Sequence, residues 1–340
     1  MPAEERLEEL KRLEALRGNR VIAYVTGDRP GAETRIGMDV FPYFYEVLNK
    51  IGKVKQIDIL LYSTGGLTMA AWGLTNLIRE YCKHFAVLIP FKAHSTATLL
   101  ALGADEIVMG PMGQLSPVDP TITSPFNPVG PNPAIPGQVQ LLPISVEDVA
   151  SYLNLAREEA EIKAGPGMSE VFKKLSDTVQ PMALGSVYRA KEQIKLLANK
   201  LLASHMDASS ERKKEIDGIV KMLTKELYSH DYIIGRREAK TVIKLDVTDA
   251  TDQLEKQLWS CFTVYSDALQ LNTPYNPAIV LGVDSEKIVE IDGAFIESTD
   301  EGFRYRTKKH VRRISPGQIP GMPAATGFQE QVLDLGWIKI

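Results

Sequence analysis

The chain has 340 residues, of which 44% are hydrophobic and 24% are charged, and its formal net charge is −4. This composition is typical of a soluble globular protein and excludes a disordered or fibrous chain, while the slightly acidic balance gives no reason to expect a nucleic-acid partner. Cys82 and Cys261 are the only cysteines, too few for a disulfide scaffold or a cysteine-rich zinc site, so we expect a reducing compartment.

The first 20 residues predict an amphipathic helix. Between residues 4 and 20, acidic and basic side chains alternate around leucines at helical spacing, namely Leu7, Leu10, Leu13 and Leu16. A signal peptide would have an apolar core after a basic start, and no apolar run approaches the roughly 20 residues that span a bilayer. We therefore expect a cytoplasmic protein without an integral membrane segment, whose N-terminal helix docks on the fold or contacts another subunit.

Strand and helix signals alternate from residue 21 to residue 109. Short apolar runs predict strands at 21–25, 57–62, 85–90 and 106–109. Apolar residues at helical spacing predict the intervening helices at 40–51, 67–81 and 95–103. Because the strands are apolar almost throughout, they predict a parallel sheet that is covered on both faces.

A proline-rich insert and a helical region follow. Residues 117–143 contain eight prolines, a density that excludes a helix or a central strand and predicts an extended loop. The helical region spans residues 145–228 and begins with a capping serine, Ser145. We expect its first helix to reach about Lys163, Gly165-Pro166-Gly167 to interrupt it, and residues 207–215 to form a polar connection.

The C-terminal part predicts one more helix and then β-structure. The helix is expected at 252–271, and residues 276–340 are expected to form a β-rich extension. Residues 288–296 and 303–314 predict a hairpin that turns at 300–302. A basic run from Arg304 to Arg313 indicates a solvated strand face, with anion or peptide binding or a subunit contact as alternatives.

Two strand-to-helix junctions carry the residue types that acyl transfer requires. Gly65-Gly66 follows the second predicted strand, where glycines let backbone N–H groups point outward at a helix N-terminus. Ser95 stands at the next junction, although a serine in such a position is usually a helix cap. Because neighbouring parallel strands end at the same edge of a sheet, a hydroxyl and backbone donors are expected to lie together there. A nucleophile beside an oxyanion hole is the minimum for acyl transfer.

Three motifs resemble the Clp-fold serine proteinases, most closely the serine dehydrogenase proteinases related to signal peptide peptidase A. The motifs are ILLYSTGG at 59–66, AHSTAT at 93–98, and ADEIVM at 104–109 followed by GQLSPVDP at 113–120. The resemblance covers residues 20–125 and resumes at 237–247. It implies a Clp/crotonase-type α/β fold with a parallel-sheet spiral over residues 21–275, carrying the insert and the helical region, and it implies a homo-oligomer.

The resemblance also implies roles for individual residues. Ser95 matches the family nucleophile, and the N–H groups of Gly66 and Thr96 match the donors of the oxyanion hole. Three further residues are supporting candidates: Gly65 beside the hole, His94 as an orienting residue, and Asp119 as a turn cap or lining residue.

The general base departs from the Clp protease pattern. Clp proteases place a histidine about 25 positions after the serine, and residues 114–119 contain none. The signal peptide peptidase branch uses a lysine instead, and the first lysine after Lys92 is Lys163, which becomes the first candidate, with Lys173 and Lys174 as alternatives. A lysine base must be buried to lose its proton near neutral pH. A solvated lysine at a helix end is the other interpretation, and His230 is the histidine candidate for the base.

Together these residues predict an ATP-independent serine endopeptidase of the Ser–Lys type, acting on a peptide or protein through an acyl-enzyme. The chain has no P-loop pattern, and its other histidines show no ligand spacing, so we expect no cofactor and no metal. Two alternatives stay open. One is a degenerate Clp-fold scaffold or peptide-binding protein without catalysis. The other is a crotonase-like acyl-CoA enzyme, which shares the oxyanion hole but needs no nucleophilic serine.

Overall fold

The computed structural model describes residues 3–118, 121–122, 124–132, 138–206, 209–227, 229, 231–314 and 327–340. Contacts within the chain divide it into two compact units. Met1–Leu115 and Ile234–Ile340 form the first, which we call the sheet unit, and Ser116–Ile233 form the second, which we call the helical unit.

The strands, in chain order, are β1 (Arg20–Thr26), β2 (Val54–Tyr62), β3 (Cys82–Ile89), β4 (Lys92–Ala93), β5 (Glu106–Met109), β6 (Gln114–Leu115), β7 (Thr121–Ile122), β8 (Val129–Pro131), β9 (Val139–Leu141), β10 (Ile144–Ser145), β11 (Ile234–Gly235), β12 (Val247–Asp249), β13 (Glu286–Glu297), β14 (Gly302–Ile314) and β15 (Gly327–Lys339). The α-helices are α1 (Ala3–Arg17), α2 (Phe41–Ile51), α3 (Thr68–Arg79), α4 (Thr96–Leu102), α5 (Val146–Asn154), α6 (Pro166–Thr178), α7 (Pro181–Ala203), α8 (Ser210–Lys221), α9 (Arg236–Glu238), α10 (Asp252–Leu269) and α11 (Pro277–Leu281). π-helical turns continue α5, α8 and α9 over Leu155–Glu159, Met222–Glu226 and Ala239–Ile243.

The sheet unit is built on one eight-stranded sheet with the order β12-β5-β3-β2-β1-β13-β14-β15. The first five strands in this order are parallel to one another, and β13, β14 and β15 add to β1 in antiparallel pairs. The inner strands β1, β2 and β3 are buried along most of their length, as continuous apolar runs require in a sheet covered on both faces. The predicted α/β fold with a large, mostly parallel sheet is confirmed.

Helices cover the two faces of the parallel half. On one face, α1 and α10 pack together on alternate strand residues, in a buried cluster that includes Leu13, Leu60 and Leu258. On the other face, the ring of Tyr24 in β1 meets Phe44 of α2 edge to face, with the ring centroids 5.0 Å apart. Helix α3 packs against both α2 and α4. The carboxyl ends of β2 and β3 therefore lead into α3 and α4 along one edge of the sheet.

The predicted N-terminal helix is present as α1 and docks on the sheet unit. Its Arg6 forms a buried ion pair with Glu297 of β13, with 2.9 Å between Nε and Oε2. The hydroxyl of Tyr265 in α10 donates to the same carboxylate over 2.8 Å. A buried charge pair of this kind is tolerated because both partners have their hydrogen bonds satisfied.

The C-terminal hairpin is confirmed as β13 and β14, and it extends the main sheet rather than standing apart from it. The sequence did not predict β15 as a separate strand. This strand pairs with β14 along its whole length. The basic run of β14 faces acidic neighbours across the strands: Arg304 and Arg306 both pair with Asp292, and Lys309 pairs with Glu330. Cross-strand pairing therefore accounts for these three charges.

The helical unit corrects three predicted boundaries. The helix that Ser145 caps ends at Asn154 and continues only as a π-helical turn to Glu159, so Lys163 is not helical. Pro166 opens α6 as its first residue instead of ending a helix, because the missing N–H of proline is not needed there.

The third correction concerns the predicted connection at 207–215, of which Ser210–Glu215 lies inside α8. Ser209 caps α8 by accepting from the Arg212 N–H, and Arg212 pairs with Glu215 one turn along. A polar stretch was thus mistaken for a loop. In the proline-rich insert the described residues form strands of two or three residues, of which β8 pairs with β9, and none is central to the main sheet. No helix of the described residues has the length and apolar character needed to cross a bilayer.

Candidate active site

Ser95 stands between β4 and α4, and its backbone is strained. Its φ is 54° and its ψ is −114°, a combination that residues with a side chain rarely adopt and that costs about 1–3 kcal/mol. The turn is fixed by its backbone, since the Ala97 N–H donates to the His94 carbonyl over 2.9 Å and the Leu99 N–H donates to the Ser95 carbonyl over 3.1 Å. A sharp strand-to-helix turn of this type projects a nucleophile out of the fold.

A serine that precedes a helix usually caps it, but Ser95 does not cap α4. The side chain of Ser95 makes no capping hydrogen bond to α4. By contrast, Ser145, Ser209 and Thr251 each accept a backbone N–H at the start of their own helices, with backbone angles in the extended region. Ser95 therefore differs from the capping residues of this chain both in its backbone and in the use of its hydroxyl.

Gly65 and Gly66 lie against Ser95 in a conformation that only glycine accommodates. Their φ values are 106° and 155°. A Cβ on Gly65 would lie 2.7 Å from the Ser95 Cβ, closer than Cβ atoms approach other atoms, and 3.2 Å from its Oγ. A Cβ on Gly66 would lie 2.1 Å from the carbonyl oxygen of Ile36. Gly65 thus lets the backbone approach Ser95 directly, and Gly66 lets it approach Ile36.

Hydrogen bonds fix the orientation of this glycine pair. The Ile36 N–H donates to the Gly65 carbonyl, and the Leu67 N–H returns a bond to the Ile36 carbonyl, each over 2.9 Å. The Thr96 hydroxyl donates to the Gly66 carbonyl over 2.7 Å, which links the glycines to the first turn of α4. Among the hydrogen bonds of the described residues, none uses the N–H of Gly66 or of Thr96, the two groups that the resemblance assigns to the oxyanion hole.

Sequence reasoning missed Ser63, which ties the two loops together. Its N–H donates to the Lys92 carbonyl and its carbonyl accepts from the His94 N–H, both over 2.9 Å. Its buried hydroxyl accepts from the Gly65 N–H over 3.0 Å. The signal was available, because a serine two residues before a glycine is the pattern of a turn closed by the serine side chain.

The remaining predicted residues are placed as follows. The structure brings Gly65, Gly66, His94, Ser95 and Thr96 together in the sheet unit. Lys163 belongs to the helical unit, in an irregular segment after the π-helical turn, and is exposed. Lys173 and Lys174 belong to the same unit and are exposed on α6. Asp119 and His230 lie outside the described residues.

Lys92 is close to Ser95 in sequence but is already paired. Its Nζ lies 2.7 Å from a carboxylate oxygen of Asp28, and the Tyr62 hydroxyl donates to the other oxygen over 2.6 Å. Burial and the hydrogen bond to Asp28 raise the pKa of Tyr62, so this phenol stays protonated. The three residues line a cavity of about 650 Å³ together with Trp259 and Phe262 of α10, on the face of the sheet opposite α4.

The two cysteines offer no alternative nucleophile. Both are buried and unpaired. Burial raises the pKa of Cys82 to about 11 and that of Cys261 to about 12. Since only the thiolate is a good nucleophile, neither thiol is activated. Within the described part of the chain, no group of three His, Cys, Asp or Glu side chains could hold a metal ion.

Comparison with known proteins agrees with the sequence motifs. Residues 2–130 match the family described as ClpP-like SDH-type serine proteinase, which confirms the resemblance seen in the sequence. The match covers β1 to β3, Gly65-Gly66 and Ser95, the part of the sheet unit in which Ser95 and the glycine pair meet. This region is therefore similar to serine proteinases with a ClpP-like fold.

Two uncharacterised proteins of Methanocaldococcus jannaschii are similar in sequence. One is 33% identical over 125 residues, which are 34% of this chain and 42% of the relative. The other is 30% identical over 195 residues, which are 57% of this chain and 54% of the relative. The chain thus spans about half the length of the curated relatives it matches.

Among solved structures, two mutants of the 1510-N membrane-bound stomatin-specific protease are similar. One has 15% sequence identity and a TM-score of 0.37, covering 66% of this chain and 79% of that one. The other, in complex with a substrate peptide, has 17% identity and a TM-score of 0.35, covering 65% of this chain and 74% of that one.

Proposed function

We propose that this protein is an ATP-independent serine endopeptidase in which Ser95 is the nucleophile. The observation that carries the proposal is the strained backbone of Ser95, which leaves the hydroxyl out of helix capping and sets it against Gly65. Backbone strain of this size persists where the surrounding structure holds it, and it is characteristic of functional sites. The match of residues 2–130 to a serine proteinase family supports the same chemistry.

In the proposed reaction, Ser95 Oγ attacks a peptide carbonyl and forms a tetrahedral intermediate. The N–H groups of Gly66 and Thr96 donate to the oxyanion, and the fixed carbonyls of Gly65 and Gly66 keep that peptide segment in place as charge develops. Collapse releases the amine and leaves an acyl-enzyme, which water hydrolyses. Each oxyanion donor is worth about 10²–10³ in rate.

For the general base we propose Lys163, as the first lysine after the paired Lys92. It would take the proton from Ser95 and return it to the leaving amine. The side chain is exposed, so this role requires that bound substrate or a neighbouring subunit exclude water from it. We also propose that the substrate is a peptide or protein and that the protein assembles as a homo-oligomer, as the resemblance implies.

Labelling with a fluorophosphonate probe, read by intact mass and peptide mapping, tests the proposal. We expect a single adduct on Ser95 and none in Ser95→Ala. The matched control is Ser145→Ala, which removes a serine that caps a helix and should leave labelling unchanged. Absence of labelling in every assembly state would refute the proposal and favour a non-catalytic scaffold. Saturable binding of acyl-CoA without labelling would favour a crotonase-like enzyme.

A further inference from the structure

Ser63 and Thr26 form a buried pair beneath the glycine loop. Thr26 is the last residue of β1, Ser63 follows the last residue of β2, and both are almost completely inaccessible to solvent. The Thr26 hydroxyl donates to Ser63 Oγ over 2.7 Å. Ser63 Oγ in turn accepts from the Gly65 N–H over 3.0 Å. A continuous chain of hydrogen bonds therefore runs from the end of β1 to the residue that touches Ser95.

Ser63 also connects to the segment before Ser95 through its own main chain. The main chain of Ser63 bonds to Lys92 and His94, the residues that lead into Ser95. One residue therefore fixes both the segment that carries the nucleophile and the peptide bond that precedes the oxyanion donor at Gly66. Gly65 is buried, so its N–H has no water to replace Ser63 if that hydroxyl is lost.

Thr26, at the other end of this series of hydrogen bonds, is held in place by the C-terminal strands. Thr26 pairs with Ala294 of β13, and the Gly27 N–H donates to the Gly293 carbonyl over 2.7 Å. Because β13 lies beyond the segment that matches the proteinase family, the position of Thr26 depends on strands that the family motifs do not include.

We propose that Ser63 and Thr26 are positioning residues for acyl transfer, holding the Gly65-Gly66 peptide so that the Gly66 N–H faces the oxyanion. The inference rests on the proposed function. Both side chains are buried and therefore out of reach of a substrate. Removal of the Ser63 hydroxyl leaves the N–H of the Thr64–Gly65 peptide buried without an acceptor. That peptide rotates to find one and displaces the adjoining Gly65–Gly66 peptide. A displacement of about 1 Å at the oxyanion donor is enough to cost about 100-fold in rate.

The test measures the maximal rate of fluorophosphonate labelling at Ser95, and the probe concentration that gives half of that rate, in the full-length protein. We expect Ser63→Ala to lower the maximal rate by about 10–100-fold and Thr26→Val by less, with the half-saturating concentration unchanged. Thr26→Ser keeps the hydroxyl donor, so its maximal labelling rate should equal that of the wild type. The matched control is Thr75→Val, since Thr75 is a buried threonine of α3 whose hydroxyl has no hydrogen-bond partner among the described residues.

Hydrogen exchange of the peptide that contains Gly65 is the second measurement, and it does not depend on activity. Exchange should accelerate in Ser63→Ala and Thr26→Val and stay at the wild-type rate in Thr75→Val. Wild-type labelling rates in both hydroxyl-deletion variants would overturn the inference, as would equal losses in Thr26→Val and Thr75→Val. A wild-type protein that does not label would refute the proposed function instead. Even if the wild-type protein does not label, an unchanged hydrogen-exchange rate of the Gly65 peptide in Ser63→Ala would overturn the positioning role.

Discussion

The sheet unit and the helical unit differ in how completely they bury their apolar side chains. In the sheet unit, Leu13, Phe85 and Phe295 are at most 1% exposed, because helices close over both faces of the parallel strands. In the helical unit, Met182 of α7 is 62% exposed and Tyr188 is 68% exposed. Helices α5, α6 and α7 line an apolar groove of about 450 Å³ there.

The difference bears on which unit can hold the proposed nucleophile rigidly. Strain at Ser95 and close approach at Gly65 require surroundings that do not yield, and the doubly covered sheet provides them. The proposed lysine bases all lie in the other unit and are exposed. The proposed nucleophile and oxyanion donors therefore lie within the tightly packed unit.

Replacement of Lys163 gives the largest expected effect and tests the proposed general base directly. Loss of a general base typically costs about 10²–10⁴ in rate. We expect Lys163→Ala to slow Ser95 labelling and peptide hydrolysis by that factor, whereas Lys173→Ala and Lys174→Ala stay near wild type. If all three variants keep the wild-type rate, the base does not come from these lysines, and the proposal for the general base is wrong.

Gly66→Ala is expected to have the next largest effect. The added methyl would lie 2.1 Å from the Ile36 carbonyl oxygen, so the glycine loop must shift and move its N–H away from the oxyanion. We expect at least about a 100-fold loss in the labelling rate at Ser95.

Gly165→Ala in the helical unit is the matched control for this substitution. Gly165 has a similar φ of 129°, but an added Cβ there would meet nothing within 4 Å. Both variants carry the backbone cost of a side chain at positive φ, and only Gly66→Ala adds a clash. Equal labelling rates in the two variants would contradict the proposed role of the Gly66 backbone.

A matched pair of leucines tests the difference in burial itself. Leu13 of α1 is completely buried and Leu196 of α7 is 53% exposed. Leu13→Ala should lower the free energy of unfolding by about 2–5 kcal/mol, because it leaves a cavity against α10. Leu196→Ala should change it by less than about 0.5 kcal/mol. Denaturant titration measures both values, and similar losses would show that exposure does not distinguish the units.

Much of the sheet unit could be predicted from the sequence because its signals are local. Continuous apolar runs predicted four of the five strands of the parallel half, namely β1, β2, β3 and β5, and the short strand β12 was not predicted. Two glycines after one strand with a serine after the next predicted the candidate site. The antiparallel extension of the sheet was harder, since pairing of β13 with β1 joins residues more than 250 positions apart. Strand propensity depends on local sequence and carries no information about which distant strand will pair.

The helical unit was predicted less well because polar helices and polar loops have similar compositions. The segment Ser210–Glu215 is helical through its Ser209 cap and an ion pair along the helix, neither of which hydrophobic spacing reveals. The buried hydroxyl pair of Thr26 and Ser63 was missed for another reason. Each residue alone is an ordinary strand end, and only the parallel register of β1 and β2 brings them together.

The smallest expected effect is a stability difference between two variants of Ser95. Ser95→Ala keeps a Cβ at φ 54°, so it keeps the strain, whereas Ser95→Gly removes it. Relief of about 1–3 kcal/mol is partly offset by the greater freedom of glycine in the unfolded chain. We expect Ser95→Gly to be more stable than Ser95→Ala by about 1 kcal/mol in denaturant titrations.

The same pair of substitutions at Ser169, exposed within α6, should have the opposite sign. Glycine inside a helix is about 1 kcal/mol less favourable than alanine, and no strain is present there to be relieved. If glycine were the less stable variant at both positions, the backbone of Ser95 would not be strained. The turn at Ser95 would then be an ordinary loop, and the proposal that Ser95 is the nucleophile would lose the observation that carries it.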